Sequence, residues 1–203
     1  MAMQTANVTG RSHLYIFGVM LVFGLLGLLA SFLLSVERIE QLVNPNSQLF
    51  CDVNAIFNCS TVMQTWQAKV FGFPNSFIGL MAYPIVVIMG VAGLAGMRFP
   101  RWFMAVAQAC FGLGLLFAYW LFFQSVYAIQ VLCPLCLVVT ISTTLLFEAL
   151  LHYNLRENNF SLPAHIHKKV LAWVKKDYDK LLAGIWLAIM LAVVLLQFPS
   201  IYR

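Results

Sequence analysis

Four of the five cysteines fall into two pairs whose spacing suits redox chemistry. Cys133 and Cys136 form a Cys-x-x-Cys motif within Leu132-Cys133-Pro134-Leu135-Cys136-Leu137, where a polar loop gives way to a long apolar run. Cys51 and Cys59 have seven residues between them in Cys51-Asp52-Val53-Asn54-Ala55-Ile56-Phe57-Asn58-Cys59. Two nearby thiols can close into a disulfide, attack another disulfide or bind a metal. Two pairs can therefore form a relay of dithiols, two structural bridges or a four-cysteine zinc site. Cys110 sits alone inside an apolar run and reads as an inert small apolar residue.

The chain that carries these residues is not that of a soluble domain. Apolar residues make up 62% of its 203 positions and charged residues only 9%, against about 25% charged in an ordinary globular chain. Several runs approach the roughly 20 apolar residues that cross a bilayer. Five spans are predicted, at 14–36, 77–97, 102–123, 132–151 and 181–198. The first is too long for a secretory signal core and lacks a clean cleavage pattern, so it reads as a retained helix. Pro84 within the second is tolerated because neighbouring helices can satisfy the freed carbonyl. The net charge of +5 comes from scattered cations rather than a basic stripe, which argues against a nucleic-acid partner. The spans lack paired mid-membrane charges and an internal repeat, which argues against a transporter.

The segments divide as a cytoplasmic N-terminus (1–13), a four-helix unit (14–151) with an outer loop at 37–75, a basic connection (152–180), and a fifth helix with the C-terminus (181–203). Within the loop, Thr61-x-x-Gln64 offers a capping box, and Val62, Trp66 and Val70 recur every four residues. This predicts a short amphipathic surface helix, ended by Gly72 and Pro74. Residues 124–130 read as a loop. Residues 164–180 read as an interfacial helix presenting Ile166, Val170, Trp173, Val174 and Tyr178 to the bilayer.

Cation counting sets the orientation. With the N-terminus inside, nine of the twelve cations (Arg11, Arg98, Arg101, Arg156, Lys168, Lys169, Lys175, Lys176 and Lys180) lie inside. Arg38, Lys69 and Arg203 lie outside, as the positive-inside rule requires. Both cysteine pairs then face the compartment in which disulfides persist, so His165 and His167 are separated from them. Pro134 suits the first turn of a helix, where free N–H groups and the helix dipole favour a thiolate. Cys136, one turn deeper, is placed to meet an apolar redox partner dissolved in lipid, whereas Cys51 and Cys59 are expected to face water. Glu148, near the inner end of the fourth span, is expected to snorkel or pair with a base, and Asp52 to be a solvated loop carboxylate.

The order of a spaced pair, then Phe71-Gly72-Phe73-Pro74-Asn75-Ser76-x-x-Gly79, then Cys-x-x-Cys opening a helix resembles the vitamin K epoxide reductase family, most of all its bacterial stand-alone members. Ser60, Trp66-Gln67-Ala68, Trp120, Ser125 and Tyr127 add to the likeness, which covers residues 14–151. The bacterial DsbB type, another quinone-linked bundle, carries its pairs in the opposite order. The resemblance implies an all-α integral membrane fold: a four-helix bundle around a quinone, menaquinone or ubiquinone, capped by the outer loop, with a fifth helix appended. It implies that a thioredoxin-like (DsbA-like) protein on the outer face of a bacterial inner membrane passes electrons to Cys51. Cys59 would then exchange with Cys133, and Cys136 would reduce the quinone. It also implies a quinone hydrogen bond from Asn75, followed by Ser76, and no metal. By residue type, Phe57, Trp66, Phe71, Phe73, Phe77 and Trp120 are candidates for an aromatic pocket around the ring. Animal members carry Tyr four residues after the second Cys-x-x-Cys cysteine; Thr140 stands here. That departure bears on epoxide reduction and on the choice of quinone, not on thiol-to-quinone transfer.

Overall fold

The computed structural model describes residues 2–45 and 49–199. Met1 and Arg203, the latter counted above among the outer cations, lie outside the described residues. Among the described residues, the α-helices in order are α1 (Ala2–Val43), α2 (Cys59–Gln64), α3 (Ser76–Leu94), α4 (Arg101–Phe123), α5 (Pro134–Arg156), α6 (Ala164–Val174) and α7 (Tyr178–Gln197). Five segments among the described residues are long and apolar enough to cross a membrane: His13–Val43, Ser76–Leu94, Arg101–Ile129, Pro134–Arg156 and Tyr178–Gln197. The fold is all-α, as the resemblance implied, and the chain is a multi-pass membrane protein.

The centre of the bundle is α1 packed between α3 and α5, with α4 against α5. Helix association in lipid depends on close packing rather than on expelling water. The α1–α3 seam is therefore built on small residues. At Gly90, a Cβ would stand 2.9 Å from the backbone N of Leu21, and at Gly27 it would stand 2.3 Å from the Tyr83 ring. The core between the helices holds Phe17, Met20, Val86, Met89, Met104, Leu146 and Leu150.

Several boundaries depart from the hydropathy pattern, each for a local reason. Helix α1 does not stop at Val36, where the apolar run ends, but continues through Glu37, Arg38 and Gln41 to Val43. Glu37 and Gln41 are buried there and hydrogen-bonded to the outer loop, so the helix is held by contacts that hydropathy does not register. The expected loop at 124–130 is instead a wide helical turn, Gln124–Ile129, continuing α4. It ends at Gln130 in the left-handed region (φ 56°). Ser125 Oγ donates to the Val131 carbonyl just beyond this stop.

The surface helix is shorter than expected and capped differently. Asn58, not Thr61, is the N-cap: its side-chain oxygen accepts from Thr61 N at 2.8 Å. Helix α2 breaks at Thr65, in extended backbone, and a 3-10 turn follows at Trp66–Lys69. Val62, Trp66 and Val70 therefore share no continuous helical face. The interfacial helix α6 likewise ends at Val174, and α7 restarts after Asp177 in the left-handed region (φ 54°). Val174 is buried, while Ile166 and Trp173 are exposed.

Candidate functional site

The outer loop and the start of α5 are joined by backbone. Phe57 and Leu132 form an isolated parallel bridge, in which Asn58 N donates to Leu132 O (2.9 Å) and Leu132 N to Ile56 O (2.7 Å). Residue 59 is thereby held beside residue 133. Pro134 opens α5 because its missing N–H has no helical partner to lose. Cys133 becomes the N-cap, its Sγ accepting from Cys136 N at 3.3 Å.

Cys51 and Cys59 form a disulfide, and Cys133 and Cys136 are free thiols. Cys133 Sγ lies 3.3 Å from Cys59 Sγ. Three of these four residues are sealed from solvent: Cys51 is 3% exposed, Cys59 0% and Cys133 2%. They pack with Leu34, Leu49 and Met63. The expectation that Cys51 and Cys59 face water is thus overturned, because α1 and residues 49–60 fold over them.

Two carboxylates hold this lid. Glu37 Oε2 lies 2.9 Å from Cys51 Sγ, and Glu37 Oε1 accepts from Phe50 N at 3.1 Å. Asp52 accepts from Leu49 N (3.3 Å), from Ser60 N (2.9 Å) and from Ser60 Oγ. Burial alone would raise the Asp52 carboxyl, but the Ser60 and Leu49 donors outweigh it and hold the carboxyl below its ordinary range. Asp52 is therefore a loop clasp rather than a merely solvated charge.

Below the sulfurs lies a cavity of about 560 Å³, within the range of small-molecule sites. Cys133, Cys136 and Thr140 line it from α5, Ser31 and Leu34 from α1, and Phe111, Phe117 and Phe122 from α4. Asn75 and Ser76 line its rim. Ser35 Oγ donates to Ser76 Oγ at 2.8 Å, tying that rim to α1. Asn75 Nδ2 donates to Gln67 O at 2.6 Å, while Asn75 Oδ1 is buried with no partner. The Asn75 amide beside the cavity thus keeps an unpartnered acceptor oxygen, and its Nδ2 carries a second N–H besides the one given to Gln67.

The match to known families can now be set beside this geometry. Residues 18–150 match the model of the vitamin K epoxide reductase family. The chain belongs to that family. No curated protein matches it at a significant level. Membership makes this a membrane oxidoreductase that works through cysteines, in a family that is generally quinone-linked.

Most of the aromatic residues expected around the ring by their type lie elsewhere. Phe57, Trp66, Phe73 and Phe77 do not line the cavity. Phe57 packs with Phe122, Val126 and Leu132. Trp66 is 61% exposed and meets Trp120 with ring centroids 5.9 Å apart, and Phe73 stacks on Phe71. Of the aromatic candidates only Phe71 lines the cavity, together with Phe111, Phe117 and Phe122 of α4, because aromatic abundance could not tell wall from rim. Cys110 also lines it, so it is not merely a mid-helix filler.

A four-cysteine zinc site does not fit this arrangement, because a disulfide sulfur is not a thiolate ligand. The same holds for the cluster of Glu37, Cys51 and Cys59. Sequence reasoning missed Glu37 and Tyr83 and gave Gln67 only as part of the family likeness. Tyr83 Oη shares a hydrogen bond with Thr143 Oγ1 (2.9 Å) at the cavity wall. The only sequence signal for Glu37 was a carboxylate one residue past an apolar span.

Proposed function

We propose that this protein is a membrane thiol–quinone oxidoreductase that oxidises a thioredoxin-like (DsbA-like) protein on the outer face and so supports disulfide formation. The observation that carries the reading is the continuity of sulfur from loop to cavity. Cys59, in the outer disulfide, lies 3.3 Å from Cys133, and both Cys133 and Cys136 line the cavity.

The cavity suits a quinone. Its walls are aromatic and aliphatic, and its rim carries the unpartnered Asn75 Oδ1, an acceptor for the hydroxyl of the reduced ring. A bound quinone would supply a two-electron, two-proton acceptor for the electrons released when Cys133 and Cys136 close to a disulfide. Asn75 would hold its polar edge, with Phe111 and Phe117 against the ring.

The chain's own steps balance as successive disulfide exchanges. A partner thiolate attacks Cys51 Sγ, the Cys51–Cys59 bond breaks, and Cys59 leaves as a thiolate. The partner's second thiolate then releases Cys51, and the partner departs oxidised. Cys59 attacks Cys133 Sγ in the inner disulfide and frees Cys136. Cys51 attacks Cys59, which restores the outer disulfide and frees Cys133. The observed state, outer pair oxidised and inner pair reduced, is the product of this sequence. Glu37, 2.9 Å from Cys51 Sγ, accepts and returns the Cys51 proton as that sulfur alternates between thiol and nucleophile.

The positive-inside count supports a cytoplasmic N-terminus, with the cysteines on the outer face of a bacterial inner membrane. A trapping experiment tests the reading. Cys59→Ala should hold a partner protein on Cys51 as a mixed disulfide that reductant releases. Unchanged partner oxidation in cells carrying Cys136→Ala would refute it.

A further inference from the structure

In the other half of α5, remote in sequence from the cysteines, three ionisable side chains converge between α5 and α7. Glu148 and His152 are four residues apart, one helical turn, and so lie on one face of α5. Asp179 sits in the first turn of α7. His152 Nδ1 and Asp179 Oδ2 are 2.5 Å apart, with side-chain exposures of 7% and 3%. One ligand atom from each of the three residues lies within 4.8 Å of the others.

The hydrogen-bond inventory of this cluster does not close. Glu148 Oε1 and Asp179 Oδ1 are both buried without a partner. Buried polar atoms are nearly always satisfied, and a buried charge needs a counter-charge. When both carboxylates are ionised beside a neutral imidazole, the cluster carries a charge of −2. Lys180 makes its direct contacts elsewhere, its ammonium lying 2.7 Å from Asp177 Oδ1 and 4.8 Å from the Tyr15 ring centre, and reaches Glu148 only through space. A divalent cation would bring the cluster to neutrality and satisfy both orphaned oxygens.

We infer that Glu148, His152 and Asp179 form a binding site for a first-row divalent metal ion that ties α7 to α5. Two carboxylates and one imidazole suit Zn²⁺, Mn²⁺ or Fe²⁺. They do not suit Ca²⁺, which takes six to eight oxygens, or Mg²⁺, which keeps an octahedral, largely hydrated oxygen shell. The family match ends at residue 150, so His152 and Asp179 belong to the part of the chain beyond it. The site therefore fastens the fifth span to the family bundle, a role independent of the cysteine relay.

The test uses the full chain in lipid nanodiscs, with free thiols blocked by N-ethylmaleimide so that no cysteine can bind metal. Titration with Zn²⁺ should show one saturable equivalent and a rise in the unfolding temperature. Co²⁺ should give visible d–d absorption at the same stoichiometry. Glu148→Gln and Asp179→Asn keep the shape and should weaken both signals at least tenfold. The double variant His165→Gln/His167→Gln should leave them unchanged. The inference is overturned if no saturable equivalent binds, or if Glu148→Gln binds as tightly as the parent. It is also overturned if binding is lost with His165 and His167 instead.

Discussion

Removing the clasp at Asp52 should expose the outer disulfide. Cys51 and Cys59 are 3% and 0% exposed, so a reductant reaches their bond only when residues 49–60 open. Asp52 closes that segment with three accepted hydrogen bonds, from Leu49 N, Ser60 N and Ser60 Oγ. Hydrogen bonds to a charged acceptor contribute roughly 1.5–3 kcal/mol each when buried. Asp52 is only part-buried, and water replaces much of what its removal frees. The whole clasp is then worth about 2 kcal/mol, or a factor of about 30 in the open population. Asp52→Ala should therefore speed reduction of Cys51–Cys59 about 30-fold. A neutral phosphine is the right reductant, since losing a loop charge does not alter its encounter rate. Alkylation and mass analysis of the Cys51 and Cys59 peptides reads the rate. A rate within about twofold of the parent, with the disulfide formed normally beforehand, would refute the closed-loop account.

The same clasp predicts a pH dependence. The Asp52 carboxyl is held below its ordinary range, so its stabilisation is complete above that range and lost as pH falls through the depressed value. Reduction per unprotonated phosphine should be flat from about pH 5 to 8 and rise below about pH 4, a rise that Asp52→Ala should abolish. Glu37→Gln should slow partner oxidation about 100-fold while leaving quinone reduction by the pre-reduced inner pair within twofold, as stopped-flow of the two half-reactions would show. Gly90→Ala places a methyl 2.9 Å from the Leu21 backbone and should destabilise the α1–α3 seam by about 1–3 kcal/mol, read as a lower unfolding temperature. Cys110→Ala, although on the cavity wall, should leave turnover within twofold.

Much of the fold was legible because membrane helices advertise themselves by composition. The five spans follow from apolar runs, although the apolar run starts α5 two residues early, at Leu132 rather than Pro134. The inner dithiol and the two rim residues Asn75 and Ser76 were likewise readable from motif order. What escaped was set by tertiary contact. Glu37 became a cysteine neighbour only because α1 runs seven residues past Val36 and is held there by Phe50 N and Ser60 O. The capping box at Thr61 lost to Asn58, three residues earlier, whose side chain reaches the same N–H region while the Phe57–Leu132 bridge fixes its backbone. Phe57, Trp66, Phe73 and Phe77 were chosen by type and nearness in sequence. Which aromatic faces the cavity depends instead on the rotation of α4, which supplies Phe111, Phe117 and Phe122.

The most direct measurement of the relay couples its two ends. Purified protein in nanodiscs, given a reduced thioredoxin-like dithiol and a quinone, should form one quinol per dithiol oxidised. Cys51→Ala, Cys133→Ala and Cys136→Ala should each abolish this coupled turnover. Quinol formation that proceeds without dithiol consumption, or partner oxidation that persists in Cys136→Ala, would contradict a path running from Cys51–Cys59 through Cys133 to the cavity.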